Sequence, residues 1–431
     1  MAFGRFQDFL SGLVKGQRGR LFAGNAQPSM AELLQKIMGN TGEVSAIVTA
    51  RELLDRYGSL SDDEKLSFFE TLEQDFNADK AAVEAAYKTY AANPNSANLN
   101  ALSRVTEPRR HELLRRLNQT PDATHDLVSM RTDLLKLLKP HPQLKAVDDD
   151  FVRMFTSWFG RGFLVLQTIN WSTSAAILER IIRYEAVHEI KDWNDLRSRI
   201  DPPNRRCFAF FHPALVDEPL IFVEVALGQD VPGSIFAILN DHIEDDDWSL
   251  EYKTATFYSI SNCQPGLKNI SFGNFLIKQV VQELQAEFPS IKQFVTLSPI
   301  PGFANWLNAD EATPESSLAQ LKRTVREFPE KREMNEEQSQ VLRRLMFNYL
   351  AVAKQGKYPV DPVARFHLGN GAMIHQIHTG ADVSKKGLTQ SFGTMVNYLY
   401  DLRYIERNHE SYVSEGVVEY SDKLKSLLLK S

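Results

Sequence analysis

The sequence predicts an α+β protein in which an N-terminal α-helical bundle, residues 1–160, is followed by an α/β domain, residues 161–431. Three observations lead there. Apolar residues recur at helical spacing through the first stretch, with helix-start signals placed just before them. Beyond Trp171, apolar runs of strand length alternate with helical patterns. The third is size: 431 residues of ordinary globular composition, 43% hydrophobic and 24% charged, correspond to two or three domains.

Ser29-Met-Ala-Glu32 is a capping box, and Leu33, Leu34 and Ile37 follow it at helical spacing. Ser61-Asp-Asp-Glu64 is a second, followed by Leu66, Phe69, Leu72 and Phe76. Asn93-Pro94, Thr120-Pro121, Pro140 and Pro142 punctuate the series, and β-branched runs are nearly absent. A last long helix is expected from about Ser174 to Ile190, with Ile177, Ile181, Tyr184 and Val187 on one face. Strands are expected at Cys207–Phe211, Leu220–Ala226, Ala255–Ser261 and Phe294–Leu297, with a late one in Phe366–Ile377. Phe275–Phe288 reads as a helix, and Gly393–Tyr400 as a helix bearing aromatics.

A net charge of −6 and a pI near 6.0 argue against a wholesale nucleic-acid or membrane-surface binder. Arg109, Arg110, Arg115 and Arg116 flank Leu113, Leu114 and Leu117, which reads as a charged helix face at the surface. Glu244–Asp247 reads as a solvated turn rather than a metal site, because four consecutive carboxylates cannot all point at one ion. Cys207 and Cys263 are far apart, which disfavours a disulfide framework or structural zinc and fits a reducing compartment. With no secretory h-region and no apolar stretch of membrane-spanning length, the expected location is cytoplasmic.

Three segments can carry chemistry. In Gln264–Asn274 a strand gives way to a glycine-bearing loop and then a helix, gathering free backbone N–H groups beside Lys268. It is either an anion cradle or a plain connection, and it is neither a Walker A motif nor GxGxxG. Ser298 stands at a strand end, pinned by Pro299, Pro301 and Gly302, and either caps a turn or faces a ligand. His367 precedes Gly369 and Gly371 on an expected strand, and is either a cleft residue or a satisfied core histidine. His375 and His378, three apart on a strand, face opposite sides and do not suggest zinc.

Taken together these segments resemble the malonyl-CoA decarboxylase family. The resemblance lies in Phe257–Ser261, the Gln264–Gly273 loop with Phe275–Lys278, Ser298–Phe303, Phe366–Leu368, Asn370–Ala372, Glu185–His188 and Asn397–Tyr400. It implies a helical oligomerisation domain followed by a catalytic domain of the acyl-CoA N-acyltransferase fold, assembled as a homotetramer. It implies conversion of malonyl-CoA to acetyl-CoA and carbon dioxide without cofactor or metal. By the same resemblance Ser298 and His367 are the catalytic pair and Tyr400 an active-site tyrosine. Lys268, Asn269, Ile270, Ser271, Phe272, Gly273 and Asn274 are then the loop holding the CoA pyrophosphate. Ser271 stands where animal members are expected to carry a Glu. The alternatives are a CoA-dependent acyltransferase, or a protein that binds CoA esters without acting on them.

Overall fold

Side-chain caps set where the helices begin. A computed structural model describes residues 28–39, 42–240, 251–270, 275–309, 316–328 and 334–429, together with Gly12. Both capping boxes are closed: Ser29 Oγ accepts the Glu32 N–H at 3.2 Å while the Glu32 carboxylate accepts the Ser29 N–H at 2.6 Å. Ser61 and Glu64 do the same. Each such cap is worth about 1 kcal/mol.

The chain divides into two units, the first comprising residues 1–164, 212–216 and 264–271. Its helices are α1 (Met30–Met38), α2 (Glu43–Gly58), α3 (Asp62–Asp75), α4 (Lys80–Ala92), α5 (Ser96–Thr106), α6 (Arg109–Leu117), α7 (Ala123–Leu137) and α8 (Lys145–Trp158). Leu34, Leu53, Phe69, Leu113, Leu127 and Phe155 are among its buried side chains, and each contributes roughly 1.5–3 kcal/mol by leaving water.

On α6, Arg109 is exposed and Arg115 and Arg116 are partly exposed, as a charged surface face requires, but Arg110 departs from that expectation. Arg110 is buried, donating to Asp150 Oδ2 at 2.6 Å, the Leu72 carbonyl at 3.1 Å and Asn77 Oδ1 at 2.9 Å. His111 Nε2 lies 2.6 Å from the other Asp150 oxygen. A six-residue window of sequence cannot reveal a partner forty positions away.

The second unit, residues 165–211, 217–263 and 272–431, is built on one mixed sheet. In chain order its elements include β1 (Val165–Ile169), α9 (Ala175–Tyr184), α10 (Trp193–Ile200), β2 (Arg205–Phe211), β3 (Pro219–Gly228), α11 (Ile235–Leu239) and β4 (Thr254–Asn262). There follow α12 (Phe275–Glu287), β5 (Gln293–Thr296), β6 (Ser298–Pro299), α13 (Phe303–Asn308), α14 (Ser317–Arg326) and α15 (Glu336–Ala351). Last come β7 (Lys354–Gln355), β8 (Tyr358–Pro359), α16 (Pro362–Gly369), β9 (Met373–His378), α17 (Lys385–Ser391), β10 (Met395–Leu399) and α18 (Ile405–Glu415).

The strand order is β1-β2-β3-β4-β5-β10-β6, with β9 on the other side of β10. β1 to β4 form an antiparallel meander, with Thr168 opposite Phe208, Phe208 opposite Val223 and Val223 opposite Ile260. β5 then runs parallel to β4, returning through α12, and the last pair is Phe257 with Thr296. β4 continues to Asn262 beyond that pair, so its far end has no β5 neighbour. Ile177, Ile181, Cys207 and Phe222 pack on one side. Ala226, Ile235, Tyr258, Leu297 and Met395 form a second cluster. Burial on both faces explains why these strands read as continuous apolar runs.

Three local expectations are corrected. The helix starting at Ser174 ends at Tyr184 rather than Ile190, because Glu185 turns inward. Its carboxylate accepts the Ser259 and Ser261 hydroxyls at 2.8 and 3.1 Å and the Val187 and His188 N–H groups at 2.7 and 2.6 Å. Phe366–Ile377 is not one strand: α16 ends at Gly369 and β9 begins at Met373. Between them Gly371 adopts φ 84°, and a Cβ there would lie 2.1 Å from the Ile405 carbonyl oxygen. Gly393–Tyr400 is not helical either, since its centre is strand β10, buried almost throughout. Glu244–Asp247 lies outside the described residues. Among the described residues no helix is long and apolar enough to cross a membrane, no His/Cys/Asp/Glu group could hold a metal, and both cysteines are free.

Candidate active site

α16 brings His367 to the site. Asp361 is its N-cap, accepting the Val363 and Ala364 N–H groups at 2.9 Å each, and Pro362 takes the first position, where no N–H is needed. The other Asp361 oxygen accepts the Gly302 N–H and the Tyr349 hydroxyl at 3.3 Å each. One buried carboxylate therefore ties the start of the His367 helix to the turn that follows Ser298. Burial pushes its pKa up, against the backbone hydrogen bonds that pull it down.

The imidazole stands between two hydroxyls. Nε2 is 3.0 Å from Ser298 Oγ, and Nδ1 is 2.8 Å from the Tyr400 hydroxyl. Its face stacks on Tyr398, with ring centroids 4.6 Å apart and planes at 26°. His367, Ser298 and Tyr400 are all buried. Burial pushes the imidazole pKa down to about 3 and the Tyr400 phenol well up, so both groups are neutral near pH 7. His367 therefore meets its two hydroxyl neighbours as a neutral imidazole, donor at one ring nitrogen and acceptor at the other.

Ser298 has a second neighbour, besides His367, that the sequence did not single out. Its hydroxyl donates to Thr296 Oγ1 at 2.8 Å, and the same oxygen accepts the Tyr398 N–H at 3.1 Å. Asn397 donates to the Thr296 carbonyl at 2.7 Å and to the Pro232 carbonyl at 3.2 Å, while its own oxygen lies 2.5 Å from His378 Nε2. His375 and His378 form no metal site; His378 supports Asn397 instead.

This arrangement is a continuous hydrogen-bonded path, Tyr400 to His367 to Ser298 to Thr296, in which every member is uncharged. Such a path can hand a proton along by exchanging one neutral imidazole tautomer for the other. The sequence matches the Malonyl-CoA decarboxylase C-terminal domain over residues 162–431 and the N-terminal domain of the same family over residues 76–159. The chain belongs to the malonyl-CoA decarboxylase family.

Solved structures of that family match it over nearly their whole length. The crystal structure of malonyl-CoA decarboxylase from Rhodopseudomonas palustris is 46% identical, covers 92% of this chain and 98% of that one, and superposes with a TM-score of 0.86. The corresponding structure from Agrobacterium vitis is 44% identical, covers 93% and 100%, and has a TM-score of 0.83. Mitochondrial malonyl-CoA decarboxylase of Anser anser anser is 34% identical over 396 residues, covering 83% of this chain and 78% of the relative.

The structure thus brings Ser298, His367 and Tyr400 together within the second unit. Of the expected pyrophosphate loop, Lys268, Asn269 and Ile270 fall in the first unit, and Ser271, Phe272, Gly273 and Asn274 lie outside the described residues. Arg131, fully buried and bonded to Asp148 at 2.9 Å, donates to the Gly266 and Lys268 carbonyls at 2.7 and 2.9 Å. With those carbonyls engaged, Asn269 follows in the left-handed region at φ 66°. Asp361, Thr296 and Tyr398 are the residues the sequence reading missed. An Asp followed by Pro is a helix-start signal, and it would have placed His367 on a helix.

Proposed function

We propose that this chain removes carbon dioxide from malonyl-CoA and leaves acetyl-CoA, with Ser298 and His367 as the reacting pair. Family membership supports the substrate and the reaction. The observation that carries the residue assignment is the uncharged path from Tyr400 through His367 to Ser298. The malonyl thioester holds its own electron sink: when the carboxylate leaves as carbon dioxide, the bonding pair moves onto the thioester as an enolate. No cofactor is needed for that step. The protein has to hold the reacting geometry, stabilise the enolate and return one proton to carbon.

In this reading the carbon takes its proton from Ser298 Oγ, and Ser298 recovers one from His367 Nε2–H. Nδ1 takes a proton from Tyr400, and Tyr400 is resupplied from solvent. The imidazole changes tautomer and never becomes a cation, as its dry surroundings demand. The Lys268–Asn274 loop is assigned to the CoA pyrophosphate on its likeness to the family's loop, and Arg131 holds the Lys268 carbonyl at its start. The helical unit is assigned to oligomerisation, with a tetramer expected by sedimentation, and the protein to the cytoplasm.

The test is single-turnover formation of acetyl-CoA by Ser298→Ala and His367→Ala. General acid catalysis contributes typically 10²–10⁴-fold, so losses of about that size are expected, with malonyl-CoA binding retained by calorimetry. A folded His367→Ala protein that works at wild-type rate would falsify the assignment, and formation of an acyl adduct on an added amine would point to acyl transfer instead.

A further inference from the structure

We infer that Thr296 is a positioning residue that sets the direction of the Ser298 proton, and with it the tautomer of His367. The inference rests on the reading of Ser298 and His367 as the reacting pair. A serine hydroxyl has one proton and here two oxygen or nitrogen neighbours, Thr296 Oγ1 at 2.8 Å and His367 Nε2 at 3.0 Å. Donation to Thr296 leaves the serine oxygen as an acceptor, so Nε2 must carry the imidazole proton and Nδ1 must accept from Tyr400. Donation to His367 forces the reverse: Nδ1–H, with Tyr400 as acceptor. Only the first state is ready to replace a proton that Ser298 has given up.

Thr296 is itself held from two directions by β10. Strand pairing between β10 and its neighbours occurs at Leu399 with Val295 and resumes at Val396 with Ser298. In the gap, side chains replace the backbone ladder: Thr296 Oγ1 accepts the Tyr398 N–H, and Asn397 donates to the Thr296 carbonyl. Thr296 is fully buried, so no water competes for Oγ1. The same Tyr398 whose N–H fixes that oxygen stacks its ring on His367. The hydroxyl of Thr296 is therefore a fixed acceptor facing Ser298.

The experiment uses the full chain with ¹⁵N-labelled histidine, and compares Thr296→Val, Thr296→Ser and Ser298→Ala. In the wild type the His367 ring should show a protonated Nε2 and an unprotonated Nδ1. Thr296→Val should invert that pattern and lower kcat about 10–100-fold, as outer-shell partners of catalytic or ligating groups do, with KM unchanged. Thr296→Ser should restore both. A wild-type ring protonated at Nδ1 would overturn the inference even if Thr296→Val did not fold. So would a folded Thr296→Val enzyme with wild-type kcat. If Ser298→Ala is also fully active, the reacting pair itself is wrong; if it is inactive while Thr296→Val is not, only the role of Thr296 fails.

Discussion

Asp361 offers a way to separate the stability of the site from its geometry. Its carboxylate makes two helix-cap bonds with one oxygen and two clamp bonds, to Gly302 N–H and Tyr349 hydroxyl, with the other. Removing the cap should cost about 1–2 kcal/mol. Leaving the two clamp donors unpaired in a buried setting adds about 1–3 kcal/mol for each, and the long 3.3 Å contacts place both near the low end. Asp361→Ala should therefore lose about 3–5 kcal/mol. Asp361→Asn can keep its oxygen on the cap but cannot accept the Gly302 N–H with its NH₂ group, so about 1–2 kcal/mol is expected. The clamp also sets the 3.0 Å contact between Ser298 and His367, and misplacement by about 1 Å can cost on the order of 10²-fold in rate. Urea unfolding followed by circular dichroism, with single-turnover rates on the same samples, measures both. If the Ala and Asn variants are indistinguishable in stability, the division into cap and clamp is wrong. A wild-type urea midpoint for Asp361→Ala would discard the whole account.

Two further outcomes follow from buried charge. Burial pushes His188 down to about 4, below its unfolded value of about 6.5. The folded chain then binds fewer protons than the unfolded one, so this contribution is complete above pH 6.5. It is lost as pH falls toward 4, by up to about 1.4 kcal/mol per pH unit. His188→Gln, which cannot take up that proton, should lose less stability between pH 7 and pH 5, as read by urea midpoints; parallel losses would refute the shift. Arg110→Ala should cost about 3–5 kcal/mol because Asp150 is left buried without its guanidinium partner, and a midpoint within 1 kcal/mol of wild type, roughly the noise of such comparisons, would mean water reaches that carboxylate.

Local signals in the sequence carried the parts of the fold that local physics decides. Ser29 and Ser61 close their capping boxes because the cap, the N3 residue and the first turn all lie within four positions. The meander strands were legible because Cys207–Phe211 and Leu220–Ala226 are too short for helices and too apolar for the surface. Gly393–Tyr400 misled for the opposite reason. A strand buried on both faces has no alternation to read, and its aromatic residues suit a buried helix equally well. His367 was found, but on the wrong kind of element, since Asp361-Pro362 was passed over as a helix start. Thr296 was invisible because its role depends on Tyr398 and Ser298 meeting it across a gap in strand pairing, and Arg110 because its partner is Asp150.

The position of β10 has a consequence for how the protein comes to exist. It lies inside the sheet, between β5 and β6 on one side and β9 on the other, yet it is among the last strands of the chain to be made. Until it arrives, Ser298 has no Val396 opposite it, His367 has no Tyr398 to stack on and no Tyr400 beside it. The nascent chain must therefore carry an open, apolar strand edge for as long as synthesis takes to cover the hundred residues from β5 to β10. Unpaired edges of this kind recruit wrong partners, and pairings distant in sequence close slowly. Activity and protection from aggregation arrive in the same event, the insertion of one five-residue strand.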